Sequence, residues 1–324
     1  MAYTSGGTIQ AIDYNYLAWG GNSTGTYTST PNNLSYVWGV GYGMKGYGQD
    51  VSAFNAVTGG GGDSVTATQW AGLVYTVNKA LAHQSGSAAR LASGSNIGIT
   101  AGATITAFAN VSTSVTTINT NANTASALGT TQTGTNLTNA ISGASSPFTS
   151  TWTRTVTFAS SDQARYFFNS GGYINVVVSA VSNNGTTIGT DEATMITTYF
   201  GGFTLRGGNA TPRLGTGGTT TTSNANLGFW ALNTGDQVLV QVKGASATYT
   251  YNLSYFEVKV KCTGAAGTNG GLGSVITFTL SYIDSSASNA GFNDAIDITV
   301  TQRYDVIFPE TTYLNNVWGT VTVA

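Results

Sequence analysis

The chain has 324 residues, 41% of them hydrophobic but only 7% charged, with a net charge of −2. That apolar content is ample for real cores and excludes a disordered chain, and the length is a soft prior for about two domains. Eleven Lys and Arg against thirteen Asp and Glu supply no basic footprint, so nucleic acid is not an expected partner. No apolar run approaches the roughly 20 residues that span a bilayer, and the opening MAYTSGGTIQ lacks the charged and apolar regions of a signal peptide. Folding in a cytoplasm without membrane insertion is the expectation. So little charge resists self-association weakly, which suits a subunit built into an assembly.

In chain order, residues 1–90 form a glycine- and aromatic-rich section with short helices. One helix is expected to begin at Thr30-Pro31, with Pro in its first position, and to carry Leu34, Val37 and Trp38 before stopping at Gly39. The stretch GVGYGMKGYGQ, residues 39–49, then contains G-x-G-x-x-G at Gly41, Gly43 and Gly46. A phosphate-cradling loop joins a strand to a helix. This one leaves a helix and enters a polar segment, so it reads as an irregular connector that lets backbones approach closely, with aromatic residues between. Further on, Trp70, Leu73, Val74, Val77 and Leu81 fall on one face of a helix, with Thr66 or Thr68 as its cap and Gly86 beyond its end. Ile9–Leu17 and Val65–Leu73 share a spacing of apolar, Ala, polar, aromatic and Leu positions, which suggests two related helix starts. Trp19, Trp38, Tyr42, Tyr47 and Trp70 are of the types that anchor interfaces, and they mark this section as the candidate attachment region.

Residues 91–150 read as a helical seam followed by a linker. Phe108, Val111, Val115, Ile118, Ala122 and Ala125 recur at spacings of three and four, a heptad pattern. The many β-branched residues weaken intrinsic helicity, so the seam needs a partner. That partner is either another copy of the chain or the helix bearing Trp70 and Leu73. Residues 130–147, rich in Thr, Ser, Asn and Gly, read as the linker.

Residues 151–324 change to a period of two. Thr151–Phe158 sets Trp152, Arg154, Val156 and Phe158 against threonines, and further strands are expected at 173–182, 236–243, 249–261, 275–284 and 295–307. Residues 190–200 read as one helix capped by Thr190, with Asp191 and Glu192 in its first turn. The fold class is therefore mainly β: a C-terminal antiparallel β-sandwich preceded by a small helical, glycine-rich N-terminal section.

Few titratable groups are available for chemistry. The sole histidine, His83, sits near a helix end, where a structural hydrogen bond or a dipole contact is expected of it. Cys262 is alone, so no intrachain disulfide and no multi-cysteine metal site can form. Asp294 and Asp297 flank a strand start. No calcium-loop, zinc or P-loop spacing is present, and no catalytic residue, cofactor or metal is expected. Tyr and Trp rings could stack on sugars, which leaves a host surface glycan as a partner and paired-carboxylate glycan cleavage as a rival activity.

The segment Phe158–Ile174, FASSDQARYFFNSGGYI, resembles the D-x-A-R-Y-F-F-N-x-G-G-x-I signature of virion structural proteins of tailed bacteriophages, especially those of cyanobacteria and marine bacteria. Three further segments share the likeness: Ile9–Asn15, Gly46–Gln49, and Val65–Gly86 with its His-Gln-x-Gly ending. The resemblance spans roughly residues 8–175. It implies a virion component, either a neck, tail or baseplate fibre-like appendage or a capsid decoration protein, with a tail-borne polysaccharide depolymerase as the enzymatic alternative. It also implies other virion proteins as partners, and a threefold appendage, in which Phe108, Val111, Val115 and Ile118 would form the seam of a trimer. Within the signature, Arg165 can pair with Asp162 or with a nearby carbonyl. Tyr166, Phe167 and Phe168 form an aromatic anchor, and Asn169, Gly171 and Gly172 turn the chain into the next strand. A structural corner is the expected role.

Overall fold

The computed structural model describes residues 9–21, 25, 32–58, 64–86, 108–124, 128–144, 147–244, 254–284 and 296–324. Two six-stranded antiparallel sheets form its body. The first holds β1 (Leu128–Gln132), β2 (Leu137–Ala144), β4 (Tyr173–Ser182), β5 (Gly202–Leu205), β6 (Ala210–Thr211) and β11 (Ile296–Pro309). Its order is β1-β11-β4-β5-β6, and β2 lies on the same side of β11 as β1, further along its length. The second runs β12 (Val321–Val323), β3 (Phe148–Phe158), β10 (Val275–Asp284), β9 (Tyr255–Thr263), β8 (Gln237–Lys243) and β7 (Thr219–Ser223).

Alternation decides which face each strand buries. On β3, Trp152, Val156 and Phe158 are buried while Thr151 and Thr153 are exposed. Ile276, Phe278, Leu280 and Tyr282 of β10 meet Ile174, Val176 and Val178 of β4 in a continuous core. Aromatic pairs tie the layers: Phe203 lies 5.4 Å from Phe278, which lies 5.8 Å from Tyr304. The β-sandwich expected from the sequence is thus observed.

The helices α1 (Ala11–Trp19), α2 (Leu34–Trp38), α3 (Ala67–Ser85) and α4 (Phe108–Thr120) form the N-terminal section. Thr66 and Gln69 make a reciprocal capping box at the start of α3, and Gly86 closes it in the left-handed conformation. The two related helix starts open at the aligned alanines, Ala11 and Ala67, and Gln10 bridges Ser64 beside them. The α2 cap is Asn33, whose side chain accepts from Tyr36 N; Thr30-Pro31 lies outside the described residues.

Four expectations are corrected. Residues 130–147 contain β2 and the end of β1 rather than a linker, so the second half of the 91–150 section belongs to the first sheet. β2 alternates in burial, with Leu137, Asn139 and Ile141 turned inward, but with so few apolar residues among Thr, Asn, Ser and Gly the period does not stand out in the sequence. The helix assigned to residues 190–200 is α6 (Thr187–Thr194), capped by Thr186 and continued by a π-helical turn over Met195–Phe200. Asp191 and Glu192 therefore fall in its second turn, away from the cap. The Asp162–Asn169 corner is itself a helix, α5 (Ser161–Asn169), capped by the Ser160 side chain.

The seam is corrected as well. Val111, Val115 and Ile118 are buried within the single chain, where α4 packs on α3, α2 and α1. Ala122 joins the same core, Phe108 packs partly buried against it 6.4 Å from Tyr16, and Ala125 lies outside the described residues. These side chains have satisfied their need for a partner inside the chain, so they offer no free seam to another copy. Among the described residues, no helix is long and apolar enough to cross a membrane.

Candidate functional site

The signature segment and the glycine stretch meet in space. Arg165 of α5 is fully buried, and its guanidinium donates to Lys45 O at 2.7 Å and to Val40 O. Its Nε lies 3.4 Å from Asp162 Oδ1, one helical turn away. The ring of Tyr166 stacks 4.5 Å from the guanidinium carbon. One turn further on, Asn169 Nδ2 donates to Gly43 O and Gly46 O at 3.0 and 3.2 Å, while its Oδ1 accepts from Trp230 Nε1. Residues 39–49 therefore present a set of backbone carbonyls to a cation, the reverse of the N–H cradle that a phosphate needs.

Glycine is required in this loop for identifiable reasons. Gly41 has φ +53, and a Cβ there would lie 2.4 Å from both Lys45 O and Tyr36 O. At Gly48, φ is +70 and a Cβ would sit 2.7 Å from the Tyr166 ring. The connector reading of the stretch is the one its geometry fits.

The joint extends on both sides. Gly43 N donates to Asn269 O, and Thr268 Oγ1 reaches Asp162 Oδ2, so the turn between β9 and β10 closes over α5. Gln49 exchanges hydrogen bonds with the backbone of Asn315, donating at 3.0 Å and accepting at 2.7 Å. Phe167 and Phe168 are buried 5.0 Å apart, with Phe158 and Phe229 against them. Gly171 adopts φ +91, and a Cβ on Gly172 would strike the Phe167 ring at 2.6 Å. The aromatic anchor and the glycine turn are thus as the sequence suggested, but they are assembled around a helix.

Four of the five candidate attachment anchors are corrected. Trp19, Trp38, Tyr47 and Trp70 are core residues. Trp19 Nε1 donates to Phe54 O, Trp38 Nε1 to Asp50 O, and Tyr47 OH accepts from Gln84. Large aromatic residues suit a core as well as an interface, and here a small helical section spends them on its own interior. Tyr42 alone is exposed, at 59%, between the exposed Val40 and Met44.

His83 is fully buried on α3, with Nε2 3.0 Å from Ser170 O. Burial pushes its pKa down to about 4, against smaller upward pulls from Glu310 and Ser170. Because Nε2 meets the carbonyl of Ser170 and not its hydroxyl, and Glu310 Oε1 stands 3.9 Å from Nδ1, the three do not form a nucleophile–base relay. A pocket of about 430 Å³ flanks Glu310, lined by Gln132, Phe308, Asn316, Trp318 and Thr320 among others.

The sequence did not single out the buried group around Glu192. Tyr282, Ser254 and Asp284 are buried with it, and Ser254 Oγ lies 3.1 Å from Asp284 Oδ1. Burial raises the Glu192 pKa to about 8; the Tyr282 and Ser254 hydroxyls oppose this while Asp284 and Asp191 reinforce it. Asp297 accepts from Asn183 at 2.7 Å, and Asp294 lies outside the described residues. Cys262 is buried on β9, and burial pushes its thiol up to about 11, so it is a packing residue. Among the described residues, no three His, Cys, Asp or Glu side chains gather to hold a metal ion.

The class these observations define is a β-sandwich with a helical cap, locked together by a buried arginine. Comparison with protein-family models, curated proteins and solved structures finds no match.

Proposed function

We propose that the chain is a structural subunit of a tailed-phage virion, a neck, tail or baseplate appendage whose β-sandwich projects from the particle. The observation that carries this reading is the role of the signature residues. Arg165 and Asn169 are buried and join the two sections of one chain, with the buried Phe167 and Phe168 beside them in the sandwich core. A segment whose residues weld a cap to a sandwich supports a load-transmitting part. A ligand site would present polar groups to an open cleft.

The surface agrees with such a part. The outer face of the second sheet displays Thr149, Thr151 and Thr153 of β3, with the half-buried Thr155, Thr157 and Thr279 beside them. The charges that β9 adds to this face are paired, Lys259 with Glu257 at 2.7 Å and Lys261 with Asp236 at 2.9 Å, so it offers little net repulsion to neighbouring subunits. The exposed Val40, Tyr42 and Met44 of the glycine loop supply an apolar contact for another virion protein.

The test is localisation. Antibody raised against the purified chain should decorate the neck, tail or baseplate of particles whose genome encodes it, and the chain should be found among the proteins of purified particles. Its absence from purified particles would overturn the reading. Release of new reducing ends from host envelope polysaccharide by the purified chain would replace it with the depolymerase.

A further inference from the structure

Along one side of the sandwich the first sheet ends in β1 and β2, and the second ends in β3, which β12 and the following Ala324 cover from Thr155 to Phe158. The inward face of β3 carries an arginine: Arg154 lies between the buried Trp152 and Val156. Its register partner on β10 is Phe278, whose ring is 5.8 Å from that of Tyr304 in the opposite sheet. Tyr304 OH donates to Gln302 Oε1 at 2.9 Å, and Gln302 is fully buried. On β2, Asn139 is paired with Val300, two residues from Gln302, and so shares its face of the sheet.

Among the described residues, three buried N–H donors of this seam have no acceptor: Arg154 Nε, Asn139 Nδ2 and Gln302 Nε2. The only hydrogen bond Arg154 makes among the described residues runs from Nη1 to Thr153 O, and no carboxylate among them pairs with it. Folded structures seldom leave buried donors unused, and the half-buried guanidinium of Arg154, with its Nε buried, calls for an oxygen-rich anion. We propose that the open seam between β2 and β3 binds a small oxyanion, held by the Arg154 guanidinium and by the amides of Asn139 and Gln302. Face-to-face sheets stand about 10 Å apart, which suits a carboxylate, sulfate or phosphate group and not a bulky chain. This site is independent of the assignment to a particle. The oxyanion is either free and inorganic or the carboxylate of an acidic sugar.

Isothermal titration of the full chain with sulfate, glucuronate and neutral glucose tests the site and its source. Saturable one-to-one binding of an oxyanion, without binding of glucose, is expected. Tighter binding of glucuronate than of sulfate would assign the sugar carboxylate, and the opposite order the inorganic ion. Arg154→Gln should abolish binding, and Gln302→Leu should weaken it about tenfold, the loss of one charge-assisted hydrogen bond. Asn139→Asp places a carboxylate beside Arg154; it should abolish binding and raise the melting temperature in oxyanion-free buffer. The proposal fails if the native chain binds neither oxyanion, if glucose binds as well as glucuronate, or if Asn139→Asp changes neither binding nor stability.

Discussion

Replacing Arg165 with alanine removes a fully buried donor from two loop carbonyls. Lys45 O and Val40 O each lose a charged partner, and a hydrogen bond to a charged group is worth about 1.5–3 kcal/mol. The bond to Asp162 adds little, since it is long and its carboxylate is 25% exposed. A total loss of about 4 kcal/mol follows. Unfolding entropy of about 2.1 cal/mol/K per residue gives roughly 0.7 kcal/mol/K over 324 residues. The melting temperature should therefore fall by about 6 °C in differential scanning calorimetry if the chain unfolds as one unit. Trypsin should also cut faster after Lys45, whose loop has lost its anchor. Arg165→Lys should recover less than half of the loss, because an ammonium cannot reproduce the guanidinium fork that spans both carbonyls. An unchanged melting temperature in Arg165→Ala, with Lys45 still protected, would refute the idea that this arginine holds the two sections together.

The pH dependence of stability should show two opposing limbs. His83, held at about 4 against an ordinary 6.5, makes the folded chain gain stability as pH rises between those values, because there the unfolded chain binds more protons. Glu192, raised from 4.5 to about 8, does the reverse: its contribution is full below 4.5 and is lost as pH climbs to about 8. The two nearly cancel from pH 4.5 to 6.5, and from there to pH 8 a loss of about 2 kcal/mol remains. Thermal melts across this range should show that loss in the native chain. In Glu192→Gln the loss should vanish and the His83 rise should emerge below pH 6.5. In the glycine loop, Gly41→Ala meets two carbonyl oxygens at 2.4 Å, whereas Gly43→Ala, at φ +57, meets open space. Chemical denaturation should show about 1 kcal/mol of left-handed strain for Gly43→Ala and a clearly larger loss for Gly41→Ala.

Local chemistry made much of this protein legible in its sequence. The period-two runs of β4 and β10 identified their strands, and β10 spans 275–284 as expected, because each buries one face against a core. Thr66, one of the two candidate caps, and Gly86 bounded α3 for equally local reasons, since helix ends are satisfied by neighbours in the chain. His83 was correctly placed near a helix end, but its partner, Ser170 O, is 87 residues away. Tertiary structure decided the rest. The aromatic-rich α5 has modest intrinsic helicity, and it is held as a helix by Arg165 and Asn169 reaching carbonyls more than 100 positions earlier. The seam on α4 was visible as a pattern, yet whether it faces another copy or its own α3 depends on how the chain returns on itself. Trp19, Trp38 and Trp70 posed the same ambiguity, since a core and an interface select the same side chains. The carbonyls that receive Arg165 carry no signal of their own: every residue has one, and only the folded backbone turns those of Val40 and Lys45 toward a single buried charge.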